Sequence, residues 1–236
     1  MGLIPTVKSK PKERFEENLT LIYGAPKVGK STFCSGLDNP LFLDTESGLN
    51  NLEVYKIGID SWETFKEAYK ELKAQQGKLP FNTLVIDTID NLWQMCSDYI
   101  CKANKVVHES ELEWGKGYAM IKREFNMALA AYRQLGMGVI YTSHAEAREI
   151  TTRVGKYNRY EPTMAKKCAE AILPSVDFIL YAESQESKDG TENRVIHTKP
   201  SKYWNAGDRT GKLPEEIPLD AKAFMEAFTK VKKENK

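Results

Sequence analysis

The sequence is poor in the features that mark metal-binding, secreted and membrane proteins. It has four cysteines and three histidines in 236 residues, and no two cysteines form the C-x-x-C pair typical of zinc sites. No apolar run is long enough to span a bilayer, and the first residues lack the apolar segment of a signal peptide. We therefore expect a protein of the reducing cytoplasm that has no membrane partner.

Net charge is also small. The formal net charge is +1, although charged residues make up 28% of the chain. Overall charge therefore does not indicate a nucleic-acid-binding protein, and any surface of that kind has to be local. The length suffices for one sizeable α/β domain, and no internal repeat or low-complexity block interrupts the sequence.

Composition divides the chain into three parts. Residues 1–17 are polar and contain proline, so they are predicted to form an arm rather than a domain. Residues 18–219 are the predicted core, and residues 220–236 the predicted C-terminal helix and basic tail. Within the core, short apolar runs alternate with helix-forming segments, and the clearest runs lie at 19–23, 41–44, 83–87 and 137–142. This alternation predicts an α/β fold with a doubly wound, mostly parallel sheet.

The strongest motif follows the first predicted strand. Residues 24–31 read G-A-P-K-V-G-K-S and match the phosphate-loop pattern G-x-x-x-x-G-K-[ST] without a gap. In such a loop, glycines let backbone N–H groups surround phosphate oxygens, and the following helix start adds partial positive charge. The motif predicts binding of ATP with Mg²⁺. The predicted nucleotide-binding residues are Gly24, Ala25, Pro26, Lys27, Val28, Gly29, Lys30, Ser31 and Thr32.

Side-chain chemistry predicts a role for several residues at this site. Lys30 is expected to reach the β- and γ-phosphates, and the Ser31 hydroxyl to ligate Mg²⁺. A second metal ligand belongs at a strand end, and Asp87, which closes the run TLVID, is the best candidate. Asp90 is a weaker candidate for the same role, and the alternative for Asp87 is an ordinary residue of a strand-terminal turn.

Hydrolysis also needs a group that orients or deprotonates water. Glu46 follows the apolar run at 41–44. We expect that strand to lie beside the phosphate-loop strand, so that its carboxyl end faces the same crevice. Glu46 is therefore the candidate general base, and the alternative is a loop carboxylate exposed to solvent.

The motifs GAPKVGKST, FLDTES, LVIDTID and VIYTSH follow one another in that order, and in this the chain resembles the RecA-like ATPases. The resemblance implies a RecA-like P-loop NTPase fold in which Glu46 activates water. It also implies that a polar residue ending the strand after the Asp87 strand senses the γ-phosphate, which falls on His144, with Ser143 beside it. RecA itself has a glutamine there, so His144 departs from the family pattern.

A closer resemblance rests on the early phosphate loop, on GLNNLE at 48–53 and on HTKPSKYWNAGDRTGKLPEEI at 197–217. In these segments the chain is similar to phage-encoded RecA-core proteins of the Sak-type single-strand annealing and recombination group, and the likeness extends over residues 18–218. It implies a homo-oligomeric ATPase, ring or filament, with ATP at the subunit interfaces. It further implies action on single-stranded DNA, with a single-strand-binding protein as another partner.

Local charge supports a DNA-binding role for the segment after the sensor strand, which is the DNA-binding loop in RecA-like proteins. Residues 144–167 contain six lysines and arginines against three glutamates. Basic side chains can follow phosphates while tyrosines stack on bases. The candidate DNA-binding residues are Arg148, Arg153, Lys156, Tyr157, Arg159 and Tyr160. The alternative is a solvated β-hairpin of mixed charge.

A second basic segment, at 197–212, contains Lys199, Lys202, Arg209 and Lys212 against one aspartate. RecA-like assemblies bring a basic finger from the neighbouring subunit to ATP, and such a finger typically accelerates hydrolysis by about 10³- to 10⁵-fold. Lys199 and Arg209 are the candidates for this catalytic role. The alternative is a surface loop with no such contact.

Three other functions share parts of this pattern. A helicase or helicase loader would use the same core, but a hexameric helicase normally carries an N-terminal domain before the phosphate loop. A P-loop phosphotransferase would need an acceptor site and an arginine-rich lid. A nucleotide switch that does not hydrolyse ATP becomes the better interpretation if Glu46 lies away from the phosphate loop.

Overall fold

The structure is a computed structural model that describes residues 6–8, 12–153, 155–187, 189–211 and 213–233. Lys212 of the second basic segment lies outside the described residues. The same holds for most of the first eleven residues of the predicted arm and for the last three residues of the predicted tail.

The described residues contain ten strands and six α-helices. The strands are β1 (Leu19–Gly24), β2 (Pro40–Asp44), β3 (Tyr55–Gly58), β4 (Thr83–Asp87), β5 (Gly138–Thr152), β6 (Gly155–Pro162), β7 (Phe178–Glu186), β8 (Glu192–His197), β9 (Gly207–Asp208) and β10 (Glu216–Pro218). The helices are α1 (Lys30–Ser35), α2 (Trp62–Ala74), α3 (Ile89–Asn104), α4 (Lys116–Arg133), α5 (Lys166–Ile172) and α6 (Ala221–Lys233).

Eight of the ten strands follow one another in the sheet in the order β10-β8-β7-β1-β5-β4-β2-β3, while β6 pairs with β5 and β9 with β7. The six strands from β7 to β3 run parallel, whereas β8 and β10 add to the β7 side in antiparallel orientation. The predicted mixed α/β fold with a mostly parallel central sheet is confirmed. The expectation that β2 lies beside β1 is wrong, because β5 and β4 lie between these two strands.

Helices cover both faces of the sheet, which explains why the parallel strands are continuously apolar. On β1, Leu21 packs into a core formed with α2 to α5, and the next residue, Ile22, packs into a second core that includes Phe33 of α1 and Phe224 of α6. Trp62 and Phe125 are large, fully buried members of the first core. This side-to-side alternation makes the domain a three-layer structure.

The ends of the described chain pack onto the core. Phe15 is 2% exposed, and its ring lies edge-on to Phe224 and Phe228, with centroid distances of 5.0 and 5.8 Å. A Cβ added to Gly138 would lie 2.1 Å from the Glu16 carbonyl oxygen, so the backbone at Glu16 lies directly against β5. The last residues of the segment predicted as an arm, and the helix predicted to follow the core, therefore belong to the same packed unit.

The functional edge of the sheet is the one where the parallel strands end. The carboxyl ends of β1, β2, β4 and β5 all meet there, which is the usual ligand position in open α/β sheets. Among the described helices, none combines the length and the apolar composition needed to cross a bilayer.

Candidate active site

The phosphate loop connects β1 to α1, and two of its glycines are required by geometry. A Cβ on Gly24 would lie 2.2 Å from the Ala182 carbonyl oxygen, closer than packed atoms come. Gly29 has φ of +115°, a conformation that side-chain-bearing residues rarely adopt. As the N-cap of α1, Gly29 supplies no side chain to the helix start, so the first N–H groups of α1 are available for a bound anion.

Lys30 is the first residue of α1, and its side chain reaches back to the start of the loop. Its ammonium group donates hydrogen bonds to the carbonyl oxygens of Gly24 at 2.9 Å and of Ala25 at 3.0 Å. Burial lowers the pKa of Lys30, and the nearby carboxylates of Asp87 and Glu46 oppose that shift. The two hydrogen bonds place the ammonium group where the motif requires a cation for phosphate.

Ser31 and Asp87 lie together, as a magnesium site requires. The Ser31 hydroxyl donates to Asp87 Oδ2 at 2.7 Å, while the Thr142 hydroxyl donates to Asp87 Oδ1. Both Ser31 and Asp87 offer the oxygen ligands that Mg²⁺ prefers. Among the described residues, no group of three or more histidines, cysteines or acidic residues could hold a metal ion by itself. These two residues thus fit a Mg²⁺ ion that takes its remaining ligands from nucleotide phosphates and water.

Asp90, the weaker metal candidate, has other partners. Its Oδ1 accepts hydrogen bonds from Ser143 at 3.1 Å and from Thr163 at 2.7 Å. Its Oδ2 is buried and has no hydrogen-bond partner among the described residues. Burial raises the pKa of Asp90 despite the two hydroxyl donors. Asp90 therefore ties the start of α3 to the end of the parallel part of β5, and Asp87 is the residue that meets Ser31.

Glu46 and His144 are in direct contact, although Glu46 follows β2 and His144 lies on β5, and these strands are not neighbours. Glu46 Oε1 lies 3.1 Å from His144 Nε2 and accepts a hydrogen bond from Thr88 at 3.0 Å. The Thr45 hydroxyl in turn accepts from the Thr88 N–H at 2.7 Å, which fixes the turn after β2 against the end of β4. The side chain of Glu46 is 31% exposed, and its contacts with His144 and Thr88 hold it at this edge of the sheet.

The candidate DNA-binding segment is the hairpin of β5 and β6. The pairing runs from Ala145 opposite Pro162 to Thr152 opposite Gly155, so the strand that contains His144 continues into the hairpin without a break. The segment thus projects from the functional edge as the β-hairpin of mixed charge that was the alternative interpretation.

Most basic side chains of the hairpin are paired with its own glutamates. Arg148 lies 2.6 Å from Glu146, Lys156 2.7 Å from Glu149, and Arg159 3.7 Å from Glu161. Among the described residues, Arg153 near the tip makes no ion pair. The excess of positive charge that the sequence suggests is therefore largely neutralised on the hairpin itself.

The two finger candidates lie away from the phosphate loop of their own chain. Lys199 lies 3.5 Å from Asp208, whose side chain is fully buried. Arg209 donates to the Pro174 carbonyl oxygen at 2.7 Å and lies 3.4 Å from Asp177. Asp177 precedes β7, at the edge of the sheet opposite the phosphate loop. Neither residue is brought to this chain's Glu46 or Lys30, and their role towards a neighbouring subunit stays a prediction.

One cation beside the phosphate loop was not predicted. A Cβ placed on Gly29 would lie 3.7 Å from Arg194 Nη1 and 3.4 Å from Leu219 Cδ2. Arg194 lies on β8 and points to the same side as the buried Ile196, two residues on. Period-two alternation in ENRVIH could have indicated its side of the sheet, but only the packing of β8 beside β7 brings it to the loop.

Comparison with known proteins agrees with this geometry. The sequence profile of the AAA domain family matches residues 16–210, which include the phosphate loop, Glu46, Asp87 and the hairpin. The chain is also 26% identical over 175 residues to the SPbeta prophage-derived uncharacterized protein YorG of Bacillus subtilis (strain 168), covering 72% of this chain and 51% of that protein. The chain thus spans about half the length of that relative. Together with the match over most of its length, the phosphate-loop geometry shows that the chain belongs to the AAA domain family.

Proposed function

We propose that the chain is an ATPase that acts on single-stranded DNA in phage recombination or strand annealing. The observation that carries the proposal is the contact between Glu46 and His144 at the root of the β5–β6 hairpin. It joins the group suited to activating water to the segment suited to binding DNA. The likeness to a prophage-derived protein supports the phage context.

The residues present suit the hydrolysis of ATP. Lys30 and the loop N–H groups would hold the β- and γ-phosphates, and Ser31 and Asp87 would hold Mg²⁺. When bound, the metal ion supplies positive charge that offsets the charge developing on the phosphate oxygens. Glu46 would accept a proton from the attacking water as that oxygen bonds to the γ-phosphorus and the bond to ADP breaks.

Strand β5 connects the candidate general base to the candidate DNA-binding hairpin. His144 holds Glu46 through its side chain, and its carbonyl oxygen accepts from the Thr163 N–H at 3.0 Å where β6 leaves the hairpin. A DNA strand bound along the hairpin would shift both His144 and Thr163, the two residues that this hydrogen bond joins. We therefore propose that DNA binding adjusts the position of Glu46, which makes hydrolysis depend on DNA.

The proposal includes an assembly. ATP would lie between subunits of a homo-oligomer, with Lys199 or Arg209 of one subunit serving the site of the next, and a single-strand-binding protein would be a further partner. Because Arg209 is 59% exposed at its side chain, it can exchange its contact with Asp177 for a phosphate of a neighbour.

The test follows the γ-phosphate of ATP in the presence of single-stranded DNA, of duplex DNA and of small phosphate acceptors. Release as inorganic phosphate that increases with single-stranded DNA is the expected result. Transfer to a small acceptor would replace the proposal with a phosphotransferase, and tight binding without turnover would replace it with a nucleotide switch. Strand unwinding of a forked duplex would favour a helicase.

A further inference from the structure

A cluster of aromatic rings joins the hairpin to residues 198–206. The Tyr160 ring stacks on Tyr181 at a centroid distance of 5.7 Å and an angle of 19°. Tyr181 stacks in turn on Trp204 at 5.8 Å, and Trp204 on His197 at 4.1 Å. The inner end of the cluster is buried, whereas Tyr160 is 41% exposed and Tyr203 is 45% exposed. The cluster therefore anchors exposed rings on a rigid base.

The backbone holds the two exposed rings in fixed relation. The Tyr160 N–H donates to the Tyr203 carbonyl oxygen at 2.6 Å. The buried Tyr23 hydroxyl lies 2.6 Å from the Asn205 carbonyl oxygen and 3.2 Å from that of Tyr160. Tyr157, half-buried on the hairpin, meets the Tyr203 ring edge-on at 6.4 Å. Tyr157 and Tyr160 are three residues apart on β6 and therefore lie on opposite faces of the hairpin. Tyr157 and Tyr203 thus form one surface, whose order is established before any ligand binds, and Tyr160 anchors the segment from the other face.

The cations around this surface are few. Lys202 Nζ lies 4.7 Å from the centroid of the Tyr203 ring, and its side chain is exposed. Arg148, Lys156 and Arg159 already pair with glutamates of the hairpin. A ligand of this surface would therefore gain more from contact with the rings than from neutralisation of its phosphates.

We propose that Tyr203, together with Tyr157, forms a stacking surface for the unpaired bases of a single nucleic-acid strand, with Lys202 at its rim contacting the backbone phosphate. The inference rests on the proposed function, because it supplies the site where the strand binds. Base–aromatic stacking tolerates any base, since every base has a π-face. The surface adds Tyr203 and Lys202, from residues 198–206, to the candidate DNA-binding residues of the hairpin. Tyr23, the residue before Gly24, connects these segments to the phosphate loop, because its hydroxyl contacts the carbonyl oxygens of Asn205 and Tyr160.

The experiment measures binding of fluorescein-labelled oligo-dT and of an abasic strand of the same length by fluorescence anisotropy. Wild-type protein is expected to bind oligo-dT at least about tenfold more tightly than the abasic strand, within the range of stacking contributions per base. Tyr203→Ala should weaken binding of oligo-dT about tenfold, while Tyr203→Phe, which keeps the ring, should not. Tyr55→Ala is the matched control, because Tyr55 is 62% exposed on β3 at the far side of the sheet.

The outcomes separate this inference from the proposed function. If wild type binds oligo-dT but Tyr203→Ala binds equally well, the stacking surface is wrong and the proposed function stands. Absence of any binding to single strands by wild type would overturn both. Equal affinity of wild type for oligo-dT and the abasic strand would also overturn the stacking surface, and that result needs no variant to fold.

Salt dependence gives an independent check. For single strands, the logarithm of affinity falls with the logarithm of salt concentration by about 0.7 per phosphate neutralised. Lys202 and Arg153 alone would give a slope of about −1.4. A slope near −4, which corresponds to about six neutralised phosphates, would show that charge rather than stacking dominates and would contradict the inference.

Discussion

Glu46 Oε1 lies 3.1 Å from His144 Nε2, although Glu46 follows β2 and His144 lies on β5, with β4 between these strands. Thr88, at the end of β4, completes the contact by donating to the same glutamate oxygen. The position of the proposed base, after β2, is thus set by contacts with β5 and with the residue that follows β4. A change in any of them would move a carboxylate that the account requires to be in place.

Replacement of Glu46 tests the proposed base directly. Glu46→Gln keeps the shape of the side chain but removes its ability to accept a proton, so ATP turnover should fall about 10²- to 10⁴-fold. The affinity for nucleotide should stay within about twofold, because Lys30, Ser31 and Asp87 are unchanged. Turnover and equilibrium binding of a fluorescent ATP analogue measure the two quantities. Glu53→Gln, at an exposed glutamate close by in the chain, is the control, and loss of turnover there as well would contradict the assignment.

Replacement of Asp87 tests the metal site. Asp87→Asn removes the charge that meets Ser31 at 2.7 Å but keeps an oxygen that can accept from the Thr142 hydroxyl. In wild type, Mg²⁺ should tighten ATP binding, whereas in the variant the affinity with Mg²⁺ should approach that measured with EDTA. Titration calorimetry with and without the metal makes the comparison. An undiminished effect of Mg²⁺ in Asp87→Asn would show that the metal ligand is another residue.

Arg194 should strengthen nucleotide binding within its own chain. Its guanidinium flanks Gly29, and its Nε lies 3.6 Å from Glu192, so it is an exposed cation with a weak surface partner. Arg194→Ala should weaken binding of ATP about tenfold, the size expected for loss of one charge-assisted contact. Arg123→Ala, at an exposed arginine of α4 on the other face of the sheet, should leave affinity unchanged. Equal affinities for both variants and wild type would remove Arg194 from the site.

Asp90 should make the domain less stable as pH rises. Burial raises the pKa of Asp90 in the folded protein above its ordinary value of 3.8. Between those two values the folded protein retains a proton that the unfolded chain has lost, so this group's contribution to stability decreases with increasing pH. Asp90→Asn lacks this effect and still accepts from Ser143 and Thr163. The difference in Tm, variant minus wild type, should therefore increase from below pH 3.8 to neutral pH.

Asp98→Asn provides the comparison for the Asp90 measurement. Asp98 is an exposed carboxylate on the same helix, hydrogen-bonded to Gln94. Its Tm difference from wild type should not increase over the same range. If the Tm difference for Asp90→Asn does not change with pH, burial does not disfavour the charged carboxylate of Asp90 in the folded protein.

Local patterns were sufficient to predict the phosphate loop and the parallel strands at 19–23, 41–44 and 83–87, whereas the run at 137–142 continues in β5 to Thr152. The run TLVID is short, β-branched and apolar, and it forms β4 with Asp87 at its end. The order of the strands could not be predicted in the same way. In the sheet, β5 and β4 lie between β1 and β2, and this order depends on how the helices cover the sheet. The location of Glu46 at the same edge as the phosphate loop could be predicted even so, since the carboxyl ends of all parallel strands share one edge.

Charge and contacts between distant segments could not be inferred from sequence spacing. Counting basic residues at 144–167 overstated the positive surface, because hairpin pairing sets Lys156 beside Glu149 and Arg148 beside Glu161. Arg194 reaches Gly29 only through the packing of β8. The backbone hydrogen bond between Tyr160 and Tyr203 likewise joins residues that are far apart in the chain, and no sequence motif includes both.

ATP hydrolysis at this site is proposed to depend on single-stranded DNA. The most direct measurement is the steady-state rate of ATP hydrolysis at saturating ATP as oligo-dT is increased, for wild type and for Lys30→Ala. The account predicts a clear increase with DNA in wild type and no activity above background in Lys30→Ala at any DNA concentration. A wild-type rate that is the same with and without DNA would contradict it.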